Sequence, residues 1–346
     1  MLNLPHLSAL ICTAALLVTP ADADDAIPVP QFTVAESHFV PVLGKKKTWY
    51  VNDSVFPFLP AKDGNGVVAF WGDAIVMRYA GPDLDHLAAP TGEAEVASTD
   101  APGADPSWHR DGTWMLTAKR LENGTLVGFV HGEDHKFADG KYGEWNSTGV
   151  WTSTDDGMTW IDHGEAVGSK KPDNGHIGGL AMNEVIWDAA NKRWLGYSGA
   201  IPLMSKDPQA LPGTWFGYKD GTFCVPIDVT QPDSKLSPAP GLADAHVTWG
   251  GLTYNSYLKQ YVMTWGWGRG VEAAFSPDGV NWSKHVALFK LDPSDQGDIS
   301  YPFLIGDTDT ASGQDCQLVY MYHPPKGEKT VSGHIKDMIR RPVHFQ

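Results

Sequence analysis

The feature that most restricts the fold of this chain is a group of short strands that recurs at roughly 50 to 70 residue intervals, the spacing of propeller blades. In one copy, a predicted strand at residues 113–119 is connected by a turn to a second strand at residues 126–131. A third strand, at residues 149–153, is followed by an Asp-Gly turn. The same order recurs over residues 248–282. Gly, Asn and Asp bound most of these strands, as is typical of antiparallel hairpins. The repeat therefore predicts several similar sheets in succession.

Five such units account for the chain, at about residues 32–100, 101–172, 173–243, 244–294 and 295–346, and we expect the N-terminal chain to close the last one. No long apolar run with helical spacing follows the first residues. With 37 Gly, 25 Pro and 14 Trp but only 19% charged residues, the composition fits short strands with aromatic side chains between sheets. We predict an all-β fold, a single five-bladed β-propeller.

The N-terminal segment, residues 1–23, has the pattern of a signal peptide. Its apolar centre ends in Ala21-Asp22-Ala23, a small-x-small sequence that signal peptidase accepts. The apolar run is too short to span a membrane. We therefore expect a secreted protein, extracellular or periplasmic, whose propeller domain covers residues 24–346.

The formal net charge of −15 disfavours nucleic acid and anionic membranes as partners, because both carry negative charge. We expect a monomer that binds a carbohydrate and requires no cofactor. A structural Ca²⁺ is an open alternative that no dedicated loop motif supports. Two cysteines lie outside the signal segment, and Cys224 and Cys316 form either one disulfide or two buried free thiols.

Two turns resemble the Asp-box of sialidases and related propellers. Residues 153–160 match its Ser-x-Asp-x-Gly-x-x-Trp pattern, and residues 276–282 are a version one residue shorter. In such a turn the Asp side chain accepts backbone N–H groups, Gly takes the positive-φ position, and Trp packs between blades. The box is structural, so it predicts the fold and carries little information on function.

Two other phrases resemble five-bladed propeller glycoside hydrolases of the arabinanase and invertase type. Residues 49–53 are similar to the Trp-x-Asn-Asp opening of invertase-like enzymes, and residues 298–302, Asp-Ile-Ser-Tyr-Pro, are similar to a blade start. The resemblance implies a glycosidase with a central active site. The chain departs from the invertase pattern, because the Arg-Asp-Pro and Glu-Cys motifs are absent and residues 110–112, Arg-Asp-Gly, are the sequence most similar to the first. The Phe-Arg-Ile-Pro motif of sialidases is also absent.

Three acids are the predicted catalytic residues. Glycosidic cleavage needs one ionised carboxylate and one carboxylic acid that protonates the leaving oxygen. Because the inner strands of a propeller converge on one shaft, acids at their starts share a cavity even when they are distant in sequence. Asp53 is the predicted base, because of the resemblance and because it follows an apolar strand. The alternative is that Asn52 and Asp53 simply form a turn. Glu133 is the predicted proton donor, and Asp298 would raise the pKa of the donor or bind sugar hydroxyls.

The densest polar cluster is residues 131–135, His-Gly-Glu-Asp-His, directly after an apolar strand. Strand alternation would place His131, Glu133 and His135 on one face and Asp134 on the other. Such a face could bind a sugar or take part in catalysis. A metal site, which His-x-Glu-x-His at strand spacing indicates only weakly, and a solvated loop are the alternatives.

The predicted substrate-binding residues are polar or aromatic side chains near the starts of the inner strands. Arginines could bind a hydroxyl pair or a uronate carboxylate, although a surface salt bridge is the alternative for each. Histidines at these positions are more often shaft residues with satisfied hydrogen bonds, and most tryptophans must be core. The predicted set is Trp108, Arg110, His131, His135, His176, Asp244, His246, Trp265, Arg269 and Tyr301.

Three functions are compatible with these patterns. The leading one is a secreted glycoside hydrolase that uses carboxylates in the central cavity, and it predicts Asp53 and Glu133 roughly 5 to 10 Å apart. The second is a polysaccharide lyase on a uronate-containing glycan, which would need an Arg close to a His-Tyr pair, such as Arg110 with His176 and Tyr301. The third is a non-catalytic carbohydrate-binding propeller.

Overall fold

The architecture is described by a computed structural model that covers residues 27–39, 54–72, 74–88, 96–135, 143–171, 177–231, 236–328 and 336–346. The regular secondary structure of these residues is one short 3-10 turn, Pro106–His109, and strands joined by turns and loops. In chain order the strands are β1 (Phe32–Val34), β2 (His38–Phe39), β3 (Phe58–Pro60), β4 (Val67–Trp71), β5 (Met77–Gly81), β6 (Ala97–Asp100), β7 (Gly112–Arg120), β8 (Leu126–Asp134), β9 (Glu144–Ser153), β10 (Thr159–Val167), β11 (Ile177–Gly178), β12 (Glu184–Asp188), β13 (Arg193–Ser198), β14 (Ile201–Ser205), β15 (Trp215–Lys219), β16 (Thr222–Pro226), β17 (Gly250–Asn255), β18 (Gln260–Trp265), β19 (Trp267–Gly268), β20 (Gly270–Ser276), β21 (Val286–Lys290), β22 (Asp298–Ile305), β23 (Ala311–Ser312), β24 (Asp315–His323) and β25 (Asp337–Phe345).

The described strands form five sheets, one for each blade. Blade one has the order β3-β4-β5, blade two β7-β8-β9-β10 with β6 added at its outer edge, and blade three β12 to β16 in sequence. Blade four has the order β17-β18-β20-β21, and blade five β22-β24-β25-β1. The prediction of an all-β, five-bladed propeller is confirmed, and each predicted unit contains the inner strands of one sheet, although β6, from the first unit, pairs in blade two.

Blade five contains both ends of the described chain. β1 pairs antiparallel with β25, with Phe32 opposite Phe345 and Val34 opposite Val343. The rings of Phe32 and Phe345 make an edge-on contact with centroids 6.2 Å apart. The N-terminal strand therefore supplies the outer edge of the last blade, as expected from the sequence.

Five apolar clusters hold the blades together, one at each junction between neighbours. The inward-facing side chains of a sheet bury their area against the next sheet, which is the main stabilising contribution in such a fold. The junction between blades five and one, built on Phe303, Val319 and Trp71, closes the ring. The other four junctions include, in order around the ring, Phe70 with Trp160, Phe129 with Trp194, Leu195 with Trp282, and Phe275 with Leu304.

The turn after β9 is held by side-chain contacts within blade two and with blade one. The Asp155 carboxylate accepts the backbone N–H of Thr159 at 2.9 Å, and Gly157 has φ +79°. A Cβ on Gly157 would lie 2.4 Å from the Phe70 ring of blade one, so this position needs glycine for both its φ and its close packing. Trp160 is buried and makes an edge-on contact with the same ring. The turn thus joins blade two to blade one.

Cys224 and Cys316 are both free thiols. Cys224 is exposed on β16, whereas Cys316 is buried on β24, where desolvation raises the pKa of its thiol to about 12. Of the alternatives left open by the sequence, the disulfide is not formed, and only one of the two thiols is buried. Within the described ranges, no helix has the length and apolar character needed to cross a bilayer.

Candidate functional site

Residues from four blades line a cavity of about 300 Å³ at the centre of the ring, which we call the axial cavity. Blade two contributes most of its wall, through β7, β8 and β9, and blades one, four and five complete it. The residues that line the axial cavity are Ser54, Trp114, Leu116, His131, Glu133, Glu144, Trp249 and Tyr301.

Glu133 is the central carboxylate of this cavity. Its Oε1 lies 3.4 Å from Nε2 of His131, and its Oε2 lies 2.8 Å from Nε2 of His135. Burial raises the pKa of the Glu133 carboxyl, but the hydrogen bonds and charges of the two histidines outweigh burial, so the pKa lies below its usual 4.5. A lowered pKa favours the ionised form. This suits a base, a nucleophile or a ligand better than the proton donor that the sequence suggested.

Glu144 is a second carboxylate in the axial cavity, and sequence reasoning did not select it. One of its oxygens lies within 4.8 Å of an oxygen of Glu133 and of a ring nitrogen of His135. Asn146 donates from Nδ2 to Glu144 Oε1 at 3.1 Å, which orients the carboxylate. The signal that could have found Glu144 is register: the predicted third strand began at residue 149, but β9 begins at Glu144, and Asn146 pairs with Glu133.

Salt bridges behind the cavity wall fix the end of β8. Asp134 is fully buried and points away from the cavity, as alternation predicts, and it accepts two hydrogen bonds from Arg110, at 3.2 and 2.6 Å. Lys171 donates to the same carboxylate. The Trp108 ring packs under Gly132, where a Cβ would lie 2.2 Å from the indole. Gly132 therefore lets β8 approach Trp108 closely while Glu133 faces the cavity.

Aromatic side chains form the other walls of the axial cavity. The ring of His131 lies 5.6 Å from that of Trp114 and 4.8 Å from that of Trp249, and Trp249 lies 6.3 Å from Tyr301. Tyr301 has φ +51°, a strained conformation for a residue with a Cβ, which aims its ring at the cavity. Aromatic faces next to hydrogen-bonding acids suit a ligand with both C–H and hydroxyl surfaces.

Three of these groups have ligand atoms close enough to hold a metal ion. Glu133, His135 and Glu144 offer two carboxylate oxygens and one imidazole nitrogen within 4.8 Å of one another. Such a mixed O and N set is compatible with Zn²⁺ or Mn²⁺. Asn146 and His131 would orient the two carboxylates from outside this set, as second partners of metal ligands commonly do.

The structure brings together only part of the predicted site. Glu133, His131 and Tyr301 line the axial cavity, and His135 contacts Glu133. Asp53 and His176 lie outside the described residues, so the predicted separation of Asp53 from Glu133 stays a prediction.

Four other predicted residues lie elsewhere. Trp108 is a core residue, 2% exposed, because it fills the space under the glycines of β8 and β9. Arg110 forms a salt bridge with Asp134, which was the alternative to substrate binding. An Arg110 paired in this way does not support the lyase hypothesis, which used it to bind a uronate. Asp244 and Asp298 are exposed and do not line the axial cavity.

The remaining three predicted residues share a different cavity. His246, Trp265 and Arg269 line a cavity of about 610 Å³ on blade four, together with Thr248, Gly266, Gly270, Glu272, His285 and Lys290. Trp265 is the last residue of β18, the second strand of that blade, and Arg269 directly precedes β20, the third strand. Trp265 and Arg269 therefore lie outside the innermost strand, and not on the shaft strand to which the sequence assigned them.

Several solved structures have the same fold. A family 117 glycoside hydrolase of the marine bacterium Zobellia galactanivorans is 12% identical, covers 91% of this chain and 90% of its own, and has a TM-score of 0.53. An N-acetylgalactosamine deacetylase from F. plautii, in complex with blood group B trisaccharide, is 13% identical, covers 90% and 95%, and has a TM-score of 0.52. A structure from the GH130 family of mannoside phosphorylases, which contains glycoside hydrolases for beta-1,2 mannosidic linkages, is 11% identical, covers 91% and 96%, and has a TM-score of 0.50.

These similarities confirm the resemblance to five-bladed propeller glycoside hydrolases at the level of the fold. No protein-family model matches the sequence, and no curated protein matches it significantly. At 11 to 13% identity, the shared fold does not specify the reaction. The chemistry has to be argued from the axial cavity itself.

Proposed function

We propose that this protein is a glycoside hydrolase that cleaves a polysaccharide or oligosaccharide in the axial cavity. The observation that carries the proposal is the pair of carboxylates, Glu133 and Glu144, with oxygens within 4.8 Å of each other in an aromatic-walled cavity. Glycosidases of both stereochemical types use such a pair, and a short separation is typical of retaining enzymes. The similar structures support the proposal, because each is described as acting on, or bound to, a sugar.

The lowered pKa of Glu133 assigns it the ionised role. In a retaining reaction, Glu133 attacks the anomeric carbon and forms an ester with the sugar while the glycosidic bond breaks. Glu144, the other member of the pair, gives its proton to the leaving oxygen. Water, deprotonated by Glu144, then attacks the anomeric carbon, so the sugar is released and both carboxyls return to their starting states.

Asp53 stays a candidate in this proposal. Its neighbour in the chain, Ser54, is buried and lines the axial cavity. A third acid near Glu133 and Glu144 would suit binding of sugar hydroxyls or a base for water. Secretion, as proposed from the N-terminal segment, would give the enzyme access to polymeric substrates.

The test is hydrolysis of a panel of chromogenic glycosides and polysaccharides by the purified protein and by Glu133→Gln, Glu144→Gln and Asp53→Asn. Removal of a catalytic carboxylate should lower kcat about 10²- to 10⁴-fold. Glu122→Gln, in an exposed turn of blade two, is the matched control and should keep full activity. Full activity of the Glu133 and Glu144 variants would remove them as catalysts, and inactivity on every substrate would favour a binding propeller.

The stereochemistry of the product separates the assigned roles. Glu133 as nucleophile predicts that the first product keeps the anomeric configuration of the substrate, which ¹H NMR of fresh hydrolysate detects. An inverted product would instead make Glu133 the base for an attacking water.

A second candidate function is a metal-assisted hydrolase, and the observation that favours it is the ligand geometry of Glu133, His135 and Glu144. A bound divalent cation would supply Lewis-acid activation of water in this cavity. Metal analysis of the purified protein, with activity before and after chelation and re-addition of Zn²⁺, Mn²⁺ or Ca²⁺, decides between the two. The carboxylate-pair mechanism predicts activity that chelation does not change.

A further inference from the structure

We propose that the cavity on blade four binds an acidic group of the substrate, a carboxylate or a sulfate on a sugar, next to the axial cavity. This inference rests on the proposed function and names its substrate class as an anionic glycan. The cavity of about 610 Å³ is twice as large as the axial cavity and is large enough for a sugar unit. We call it the blade-four cavity.

The blade-four cavity is basic in a strongly acidic protein. Its lining has two permanent cations, Arg269 and Lys290, and one acid, Glu272, together with the imidazoles of His246 and His285. His285 pairs with Glu272 at 3.3 Å, so the acid already has a partner. The chain as a whole has a net charge of −15, which makes a local excess of positive charge at a cavity unusual for this surface.

Arg269 is held by backbone carbonyls and not by an ion pair, although its charge interacts with the exposed Asp292 carboxylate. Its guanidinium donates to the backbone carbonyl of Asp292 at 2.8 Å and to that of Gly297 at 3.5 Å. Among the residues that the structure describes, no carboxylate oxygen lies within salt-bridge distance of Arg269 or Lys290. The backbone carbonyls hold the guanidinium in place, and because it forms no ion pair with the described residues it can still bind a carboxylate or a sulfate, as arginines commonly do.

Consecutive residues of one segment line the two cavities. Thr248 lines the blade-four cavity, and the next residue, Trp249, lines the axial cavity. Trp265, which lines the blade-four cavity, pairs with Gly250 at the start of β17, the innermost strand of the blade. A glycan bound in the axial cavity therefore meets the blade-four cavity when it extends over Trp249.

The charges of the two cavities would set the position of such a glycan. The axial cavity has Glu133 and Glu144 on its wall, which repel an acidic sugar, while Arg269 and Lys290 attract it. The acidic unit would therefore lie over blade four, and a glycosidic bond of the same chain would lie against the two glutamates. Affinity should decrease as salt rises, because the basic groups are exposed.

The experiment compares binding of charged and neutral probes by calorimetry at low and high salt. The carboxylate probes are an oligogalacturonide and its methyl-esterified form, and the sulfate probes are a carrageenan oligosaccharide and its desulfated form. Arg269→Gln with Lys290→Gln should weaken binding of the charged probe roughly tenfold for each residue changed and leave the neutral probe unaffected. Lys284→Gln, exposed and outside the cavity lining, is the matched control and should bind like the wild type.

The blade-four site is supported if the protein prefers one charged probe over its neutral form and if this preference is lost in the double variant and kept in the control. Whether the carboxylate or the sulfate probe is preferred identifies the acidic group. Equal binding of charged and neutral probes, no binding of either charged probe, or an unchanged double variant refutes it. The proposed function fails separately. Binding of a charged probe without cleavage of any glycan refutes hydrolysis alone. Cleavage that depends on Glu133 and Glu144, without preference for either charged probe, refutes the acidic subsite alone.

Discussion

Replacing Asp309 with asparagine should stabilise the protein, and the gain should grow as the pH rises. Asp309 lies beside Thr117 in β7, and 8% of its surface is exposed. The Oγ1 hydroxyl of Thr117 donates to its Oδ2 at 2.7 Å. Burial raises the pKa of the Asp309 carboxyl from 3.8 to about 7, although the Thr117 hydrogen bond and the Lys119 charge oppose the rise. Between pH 3.8 and about 7, the folded protein therefore keeps a proton on the Asp309 carboxyl that the unfolded chain releases.

The sign follows from proton linkage. Below pH 3.8 the carboxyl is protonated in both states and has no effect on the free energy of unfolding. Between its unfolded and folded pKa values the unfolded state gains by ionising, so stability falls as the pH rises, and above the folded value the loss is complete. With about three pKa units between the states, the cost is about 4 kcal/mol at pH 8 and about 1 kcal/mol at pH 4.5.

The side-chain amide that replaces the acid does not ionise, and its oxygen can still accept from Thr117. Allowing for the loss of the Lys119 contact, Asp309→Asn should add about 2 to 4 kcal/mol at pH 8 and less than about 1 kcal/mol at pH 4.5. Urea denaturation of both proteins at the two pH values measures this difference. Comparison of the variant with its own parent at each pH cancels the contributions of all other acids. A gain that does not change with pH would refute the reasoning.

Three shorter predictions follow from other contacts. Because the pKa of Glu133 lies below 4.5, activity should fall on the acid side only below about pH 4.5, and His135→Ala should move that limit upward in a pH–rate profile. Gly157→Ala should destabilise by about 2 to 4 kcal/mol, since both φ and a 2.4 Å contact oppose it. Gly124→Ala, with a similar φ and only the end of the Lys62 side chain near the new Cβ, at 3.9 Å, should cost about 1 kcal/mol, and thermal melts of both variants measure the difference. Phe32→Ala should cost about 2 kcal/mol in urea denaturation because it weakens closure of blade five, and an unchanged midpoint would contradict that role.

Local patterns in the sequence were sufficient to predict the blades. Alternation of apolar residues and the Gly, Asn and Asp turns are properties of neighbouring residues, so the number of sheets and closure by the N-terminal chain followed from them. The same rule placed Glu133 and Asp134 on opposite faces of β8, as the structure shows.

The composition of the axial cavity depended on contacts between distant segments. Glu144 reaches Glu133 because β9 begins five residues earlier than the turn signals indicated, and Trp249 and Tyr301 come from other blades. Trp108 and Arg269 have the residue types of a sugar site, yet one fills the core of blade two and the other faces the blade-four cavity. Alternation tells which residues share a face of one strand. Which faces meet across a shaft depends on how the blades pack against one another, and that packing exists only in the folded ring.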